Sequence, residues 1–231
     1  MDNRVVMVTG GFGTLGRAVV RAFETQGARV AAVDRSAAPS DSLLSAQDRL
    51  LKLENVDLTQ WAHSTAAVQK VTATFGRLDV LVNIAGGFIW QTLADGDPED
   101  WDRMYAINLK TAVMAAKAAL PALLQSGAGR VINIGAGAAV KAGAGMGAYT
   151  ASESGVQRLT ESLAQELKDR GVTVNAVLPG IIDTPQNRTD MPNADHSRWV
   201  APAAIADVIL FLAGDAARAV TGASIPVFNR G

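Results

Sequence analysis

A short strand that runs into a glycine-rich turn and then a helix constrains the fold of this chain more than any other feature. Residues 4–9 (RVVMVT) form a β-branched run, followed by TGGFGTLG at 9–16, which Gly10 and Gly16 bracket. Glycines let the backbone turn tightly and approach a pyrophosphate, whose charge is favoured at a helix N-terminus. The next strand ends at Asp34, where a dinucleotide fold places a carboxylate on the adenosine ribose. The opening therefore predicts a dinucleotide-binding βαβ unit.

The same carboxylate bears on the choice of cofactor. Asp34 would repel a 2′-phosphate, so NAD(H) is favoured over NADP(H). Arg35 weakens this preference, because a neighbouring arginine can accommodate that phosphate. From the pattern alone, a tight loop beside a solvated strand end is the alternative interpretation.

Strand-like and helix-like segments alternate along the whole chain, and no linker or repeat divides it. The pattern predicts an α/β fold: one Rossmann-like, doubly wound parallel sheet of about seven strands with helices on both faces, in a single domain over 1–231. The segment 181–200 is rich in Asp, Pro, Asn and Arg, which indicates a substrate loop. Strands are expected at 4–9, 29–34, a short apolar stretch before 56–58, 78–84, 130–134, 172–178 and 224–228, and helices after the glycine turn and at about 101–125, 148–170 and 202–213.

Composition argues against several functional classes. The 231 residues are 48% hydrophobic and carry a net charge of −1, which suits a folded core and gives little support to nucleic-acid binding. The chain has no cysteine and two histidines, which excludes disulfides and thiolate metal sites. The N-terminus lacks an apolar leader, and no run approaches the roughly 18 apolar residues of a membrane span. We expect a cytoplasmic protein whose partner is a small molecule, with no membrane, nucleic-acid or metal partner.

Several motifs resemble those of the short-chain dehydrogenase/reductase family, over nearly the full chain. They are TGGFGTLG (9–16), NVDLT (55–59), NIAGG (83–87), INLKTA with Asn108, NIGAG (133–137), YTASE (149–153) and VNAVLPGIIDT (174–184). Within the family, the chain is most similar to the quinonoid dihydropteridine reductase subgroup, which reduces a quinonoid pterin with NADH. The stretches that carry this second resemblance are 83–90, 134–149 and 178–199.

The resemblance implies a set of cofactor-binding residues in four parts of the chain. The glycine turn, where Thr14 replaces a commoner glycine, would hold the pyrophosphate, Asp57 the adenine amino group, 83–86 the adenosine ribose, and 179–184 the nicotinamide. The implied residues are Gly10, Phe12, Thr14, Leu15, Gly16, Asp34, Arg35, Asp57, Asn83, Ala85, Gly86, Pro179, Gly180, Ile182 and Thr184. Ordinary turn chemistry at strand ends is the alternative for Asp57 and Asn83.

The resemblance also implies a catalytic set, and here the chain departs from the family pattern. The usual set is an asparagine, a serine, a tyrosine and a lysine; Asn108 and Tyr149 match two of them. Ala136 occupies the serine position, as in the dihydropteridine reductase subgroup. Glu153 occupies the lysine position, which departs from both the family and the subgroup.

The charge of Glu153 changes the chemistry expected of Tyr149. Residues four apart on a helix share a face, with Cβ atoms roughly 5–6 Å apart. A lysine there lowers the pKa of the tyrosine, whereas a carboxylate raises it. We expect Tyr149 to stay protonated at neutral pH, as a proton donor and a poor base, while Glu153 accepts hydrogen bonds from the nicotinamide ribose. A surface glutamate in the first turn of a helix is the alternative interpretation.

Apolar residues near the predicted ligand edge of the sheet indicate a substrate wall. Phe88, Ile89 and Trp90 follow the 83–87 motif, and Met146, Met191 and Trp199 would close the pocket; Trp90, Met146 and Trp199 are the leading substrate contacts. They suit a flat, partly apolar substrate, although plain packing is the alternative. The family commonly forms homodimers or homotetramers, and a small-residue helix face would allow close packing between copies. That face comprises Ala112, Ala115, Ala116 and Ala119.

Three functional hypotheses follow from these residues. The first is an NAD(H)-dependent oxidoreductase that reduces an activated substrate, quinonoid, pterin-like or carbonyl. The second is a dinucleotide-binding pseudo-reductase with little or no turnover. The third is a lyase or isomerase in which Glu153 shuttles a proton.

Overall fold

A computed structural model of the chain describes residues 1–38 and 49–229, and these residues form a parallel sheet flanked by helices. Seven strands are hydrogen-bonded in the order β3-β2-β1-β4-β5-β6-β7, all parallel. They are β1 Val5–Thr9, β2 Arg29–Val33, β3 Leu50–Leu53, β4 Val80–Asn83, β5 Arg130–Ile134, β6 Thr173–Pro179 and β7 Ser224–Val227. The predicted Rossmann-like α/β fold is confirmed. The chain reverses its direction of winding between β1 and β4, and ligands of such sheets bind there, at the carboxyl ends of the strands.

Helices cover both faces of the sheet. They are α1 Thr14–Thr25, α2 Trp61–Phe75, α3 Glu99–Met104, a π-helical turn Tyr105–Lys110, α4 Thr111–Gln125, α5 Gly147–Leu167, α6 Pro185–Asp190 and α7 Pro202–Ala213. Helices α1 and α7 pack together over one face, where Val6 and Val8 of β1 point. Helices α2, α4 and α5 cover the other face, where Val5 and Met7 point. Because both faces are covered, the strands are apolar at successive positions and do not alternate.

Three helical features differ from the sequence prediction. Helix α2 was not predicted, because its short Ala, Thr and Ser side chains give a weak apolar stripe. The predicted helix 101–125 is interrupted by the π-helical turn. The predicted loop 181–200 contains α6 and a 3₁₀ turn at His196–Arg198. Its two ends are held together, since Ile182 pairs with Val200 in an isolated β-bridge.

One helical stretch is longer and more apolar than expected, since the sequence predicts no run that approaches the roughly 18 apolar residues of a membrane span. In the described part of the chain, Glu99–Gln125 is long and apolar enough to cross a membrane by length and composition. Its segments pack against α2, α5, β4 and β5. A core helix of a folded domain has the same properties, so this stretch is weak evidence for a membrane span.

The small-residue face of α4 is not available to a second copy of the chain. Ala112, Ala115, Ala116 and Ala119 are at most 6% exposed, and the last three belong to the core beneath α4. The prediction that this face meets another subunit is therefore wrong. Its small side chains let α4 lie close to its own sheet.

Candidate active site

The glycine-rich turn forms a cradle at the carboxyl end of β1. Gly10 has a positive φ of 64°, and a Cβ on Gly16 would collide with the Gly10 carbonyl oxygen. The N-cap of α1 is Gly13, which has no side chain that could bond to the first N–H groups of the helix. The first N–H groups of a helix have no partner within it, so this terminus can receive a phosphate group. The cradle fits the pyrophosphate of a dinucleotide.

Asp34 holds the turn against the end of β2. Its Oδ2 accepts a hydrogen bond from the Phe12 N–H at 3.1 Å, and its Oδ1 accepts one from the Ser36 N–H at 3.0 Å. The carboxylate therefore lies beside the glycine cradle, as a ribose-binding acid must. Arg35 follows it and is exposed.

Asp57 lies in the turn before α2. Its Oδ1 accepts hydrogen bonds from the Thr59 hydroxyl at 2.7 Å and the Thr59 N–H at 3.0 Å. The hydroxyl hydrogen bond, more than any other contact, lowers the pKa of Asp57. The carboxylate is thus ionised, and its contacts are the turn chemistry that the sequence left open as an alternative.

The loop after β4 is tied to the glycine turn by Thr9, which sequence reasoning did not single out. The Thr9 hydroxyl accepts hydrogen bonds from the N–H groups of Ile84 and Ala85 at 3.0 and 3.2 Å. A Cβ on Gly10 would lie 2.9 Å from the Ala85 nitrogen. Glycine at position 10 therefore allows the two loops to touch.

A chain of side chains lies beneath this loop. Asn83 Nδ2 donates to Asn133 Oδ1 at 2.9 Å, and Asn133 Nδ2 donates to the Thr160 hydroxyl at 2.9 Å. The Oδ1 of Asn83 is buried without a hydrogen-bond partner among the described residues. Three neighbouring elements, β4, β5 and α5, are fixed to one another by these bonds.

Asn108 joins the loop after β4 to α5. It lies in the π-helical turn, a type of turn that is frequent at functional sites. Its Oδ1 accepts from the Gly87 N–H at 2.7 Å, while its Nδ2 donates to the Gly87 carbonyl at 3.1 Å and to the Ser152 hydroxyl at 2.9 Å. A Cβ on Gly86 would lie 2.8 Å from Asn108 Oδ1. This amide therefore sets the distance between the loop and the helix.

Ser152 is a site residue that the sequence reasoning missed. Its hydroxyl accepts from Asn108 and donates to the Tyr149 carbonyl at 2.7 Å. A weak signal was present, because Ser152 and Thr150 are both hydroxyl residues inside the YTASE motif. Its partner on the π-helical turn is 44 positions away, so only the fold identifies the contact.

Tyr149 and Glu153 lie one turn apart on α5, where Tyr149 is partly buried and Glu153 is buried. The Phe88 ring meets the Tyr149 ring edge to face, with centroids 4.9 Å apart. Glu153 is 6% exposed, and its Oε2 has no hydrogen-bond partner among the described residues. A Cβ on Gly135 would lie 3.7 Å from that oxygen, which places the carboxyl group beside the carboxyl end of β5. The alternative of a surface glutamate is therefore wrong.

Burial controls the protonation of both residues. Desolvation raises the pKa of Glu153 to about 8. Desolvation, followed by the charge on Glu153, raises the pKa of Tyr149 well above its usual 10.0. Tyr149 is therefore a phenol at neutral pH. The direction agrees with the sequence prediction, but the larger cause is burial, which the sequence did not reveal.

Ala136 lies just beyond β5 and is buried. Its carbonyl accepts from the Ala139 N–H at 3.1 Å within a short 3₁₀ turn. The side chain is a methyl group, so this position supplies neither a donor nor an acceptor to a substrate.

The residues from 179 to 184 follow β6 at the same edge of the sheet. Pro179 ends the strand, and the Gly180 N–H donates to the Val227 carbonyl at 2.9 Å. Ile182 forms the bridge with Val200. The Thr184 hydroxyl accepts from the Asn187 N–H at 3.1 Å and caps α6. These contacts hold the start of the 181–200 segment at the end of β6.

Two of the three leading substrate-wall residues lie near each other. Trp90 is 60% exposed, and its indole N–H donates to the Ala144 carbonyl at 3.0 Å. A Cβ on Gly145 would collide with the indole, so Trp90 lies on the loop that precedes Met146. Trp199 differs, because it is 7% exposed and its ring packs against the His196 ring, with centroids 4.3 Å apart and planes tilted by 46°.

Comparison with known proteins agrees with this geometry. The family model described as short chain dehydrogenase matches residues 4–195. The chain is 33% identical to 2-(S)-hydroxypropyl-CoM dehydrogenase 3 of Xanthobacter autotrophicus, over 98% of this chain and 96% of the relative.

Solved structures show the same similarity. A short-chain dehydrogenase/reductase from Burkholderia xenovorans superposes with a TM-score of 0.91 and 31% identity, covering 99% of this chain and 96% of that one. Carveol dehydrogenase from Mycobacterium avium, solved in complex with NAD, gives a TM-score of 0.88 and 27% identity, covering 98% and 96%. The chain therefore belongs to the short-chain dehydrogenase family of oxidoreductases, which bind a nicotinamide dinucleotide.

Proposed function

We propose that this chain is an NAD(H)-dependent reductase of an activated, electron-poor acceptor: a quinonoid or pterin-like compound, or an activated carbonyl. The single observation that carries the proposal is the buried carboxyl group of Glu153 one helical turn from the Tyr149 phenol. We further propose that residues 1–231 are one domain, with 181–200 as its substrate loop.

The protonation of Tyr149 sets which proton transfer the site can perform. When bound at the glycine turn, NADH would supply the hydride. Tyr149 donates a proton to the acceptor as the hydride arrives, which its raised pKa allows. The reverse reaction needs a phenolate to take a proton from an alcohol, and burial beside Glu153 disfavours that phenolate. At neutral pH the site is therefore in the phenol form that reduction needs, and the phenolate form that alcohol oxidation needs is sparsely populated.

The weakness of the acid restricts the substrate. A phenol with a raised pKa gives little help to an unactivated ketone, and Ala136 supplies no second hydroxyl to polarise it. A quinonoid or similarly electron-poor acceptor accepts hydride with little acid catalysis. This supports a place in the dihydropteridine reductase-like subgroup, whose members also lack the serine.

Glu153 keeps a binding role in this proposal. With a pKa of about 8, it is mostly protonated at pH 7. Its unpartnered Oε2 lies beside Gly135 at the carboxyl end of β5, and a nicotinamide ribose hydroxyl bound at that edge would satisfy it. The charge normally supplied by a lysine is absent, so cofactor affinity depends more on the glycine turn and Asp34.

The remaining assignments follow from position. Asp34 beside the glycine turn favours NAD(H) over NADP(H). The residues at 83–86 line the adenosine ribose, and 179–184 frame the nicotinamide. We assign Trp90, Met146 and Trp199 to the substrate side, and we expect a cytoplasmic homodimer or homotetramer.

A second candidate is favoured by the pKa of Glu153. A carboxyl group that titrates near pH 8 is matched to proton transfer at neutral pH. This would suit a lyase or isomerase in which Glu153 moves a proton and no net hydride is transferred. Such a reaction would leave the ratio of NADH to NAD unchanged.

The proposal is tested by NADH oxidation with three acceptors: a quinonoid dihydropterin, a simple quinone and an unactivated ketone. We expect turnover with one of the first two and at least about tenfold slower turnover with the ketone. Glu153→Lys lowers the pKa of Tyr149 and should raise the rate of alcohol oxidation by roughly 10- to 100-fold, which corresponds to about one to two pKa units. Glu153→Gln is the matched control, because it removes the carboxyl group without adding a positive charge.

The outcomes separate the hypotheses. NADH binding without turnover of any acceptor would identify a pseudo-reductase and reject our proposal. Substrate conversion that continues after cofactor removal would favour the lyase or isomerase. Equal rates on the ketone and the quinonoid acceptors would contradict the proposed weakness of the acid.

A further inference from the structure

A cavity lined by several charged and hydroxyl side chains lies at the amino-terminal edge of the sheet, opposite the edge that carries Tyr149. Its volume is about 390 Å³. It lies where β5 and β6 begin, below the end of α5 and beside the turn after α7. The charged and hydroxyl side chains that line it are Arg130, Lys168, Thr173, Asp215, Arg218 and Thr221.

Arg130 lines this cavity and has one unused donor. It begins β5 and is 4% exposed. Its Nη1 donates to the carbonyls of Ala128 and Gly129, each at 2.9 Å, but its Nε is buried without a hydrogen-bond partner among the described residues. The Thr173 hydroxyl, at the start of β6, is also buried and unpartnered in the described structure. Leaving such groups unsatisfied costs free energy, so these two neighbours on paired strands are donors that a polar ligand could satisfy.

The charges around the cavity favour an anion. Lys168 and Arg218 line it from the surface and are exposed. Asp215 is the one carboxylate in the lining, and its Oδ1 already accepts from Arg4 Nη2. That oxygen is 3.9 Å from Arg130 Nη2. Basic side chains thus outnumber the carboxylate, whose charge is shared with a further arginine.

We infer that this cavity binds the phosphate group of a small molecule, with Arg130 Nε–H and the Thr173 hydroxyl as buried donors and Lys168 and Arg218 as surface charges. Arginine is a common phosphate ligand because its planar N–H groups match the geometry of phosphate oxygens. A threonine hydroxyl can donate one further hydrogen bond. A cavity of about 390 Å³ exceeds what a phosphate ion fills and leaves room for an organic part. The five residues of β5 separate this cavity from the Tyr149 edge by roughly 15 Å, so the site is distinct from the cofactor cradle.

The probe for this site is the Arg130 Nε–Hε resonance in ¹⁵N-labelled protein, assigned by comparison with Arg130→Lys. Inorganic phosphate and glycerol 3-phosphate are titrated separately at constant ionic strength, with chloride as the reference. We expect a saturable shift of this resonance with phosphate and not with chloride. A tighter response to glycerol 3-phosphate would identify an organic phosphate as the ligand, and an equal response would identify the free ion.

A charge-reversed variant makes the test specific. Lys168→Glu/Arg218→Glu changes two exposed residues of the lining and should weaken phosphate binding at least tenfold. Lys70→Glu/Arg21→Glu makes the same charge change at exposed positions outside the lining and should leave the affinity unchanged. Phosphate also has access to the glycine turn, so the result is taken from the Arg130 resonance and from the difference between these two variants. An Arg130 resonance that does not respond to either phosphate, or equal affinities in the two variants, would overturn the inference.

Discussion

The two halves of the candidate active site are built differently. In the half around the glycine turn, the polar groups are paired: both carboxylate oxygens of Asp34 accept backbone hydrogen bonds, and the Thr9 hydroxyl accepts two more. In the half formed by α5, the Oε2 of Glu153 and the Nε2 of Gln157 are buried without partners among the described residues. The half around the glycine turn is paired within the chain except at Asn83 Oδ1, whereas the α5 half contains a buried acceptor and a buried donor that a ligand could satisfy.

The contrast shows which property of the family each half preserves. The glycine cradle needs only backbone geometry, which the chain provides in full. In the proposed function, the proton-donor half depends on a charge, and the buried carboxyl group of Glu153 stands where the family has a cation. The proposal therefore separates dinucleotide binding from proton chemistry, and three changes test that separation.

The largest effect is expected from Gly16→Ala. The added Cβ would collide with the Gly10 carbonyl oxygen and force the turn open. We expect NADH affinity to fall at least about 100-fold, or about 2.7 kcal/mol, as measured by NADH fluorescence titration.

The matched control is Gly13→Ala, because a Cβ there would meet the Gly10 carbonyl oxygen at an ordinary 3.5 Å. It should bind NADH within a few-fold of the native protein. A Gly16→Ala protein that is folded by circular dichroism and binds NADH normally would break the proposed role of the cradle.

The next effect concerns stability and Glu153→Gln. In the folded protein the pKa of Glu153 is raised from 4.5 to about 8, so the unfolded chain releases this proton at lower pH than the folded chain. The stabilisation from the protonated group is complete below pH 4.5 and is lost as pH rises towards 8, by about 1.4 kcal/mol per pH unit. Between pH 6 and pH 8, the native free energy of unfolding should fall by about 2 kcal/mol more than that of Glu153→Gln.

Urea denaturation at both pH values measures this difference. Glu166→Gln is the control, since Glu166 is exposed on the same helix. The same fall in the free energy of unfolding for native protein and Glu153→Gln would mean that the carboxyl group is already ionised in the folded state at pH 6. The pKa of Glu153 would then not be raised, and the two halves of the site would not differ in this respect.

The smallest effect is expected from Asp34→Asn. The amide keeps an acceptor for the turn but removes the negative charge that repels a 2′-phosphate. We expect the preference for NADH over NADPH to fall by about tenfold, close to 1.4 kcal/mol, in paired titrations with the two cofactors.

Asp57→Asn serves as the comparison, because its carboxylate bonds to Thr59 and the proposed adenine contact is common to both cofactors. Its preference should stay at the native value. An unchanged preference in Asp34→Asn would show that Arg35 or another group sets cofactor choice.

The extent of sequence prediction follows from the range of each interaction. The sheet, the glycine turn and α5 were predicted, because apolar period and glycine spacing are properties of neighbouring residues. Helix α2 was missed because its apolar stripe is weak, and the π-helical turn because i to i+5 bonding leaves no distinct sequence period. The packing partner of the α4 alanine face was predicted wrongly, since a face of small residues packs equally well on a sheet or on a second subunit.

The amino-acid sequence by itself determined the order of strands and helices, the cradle for a dinucleotide and the presence of an acid one helical turn after Tyr149. Only the tertiary structure decided that this acid is buried, that Asn108 reaches Ser152 and that Arg130 is left with an unused donor. Each of these depends on segments far apart in the chain, which exclude water from a group or bring a partner to it. Burial and hydrogen-bond partners, more than residue type, set the pKa of a buried carboxyl group. They also decide whether a tyrosine is a phenol that donates a proton or a phenolate that accepts one.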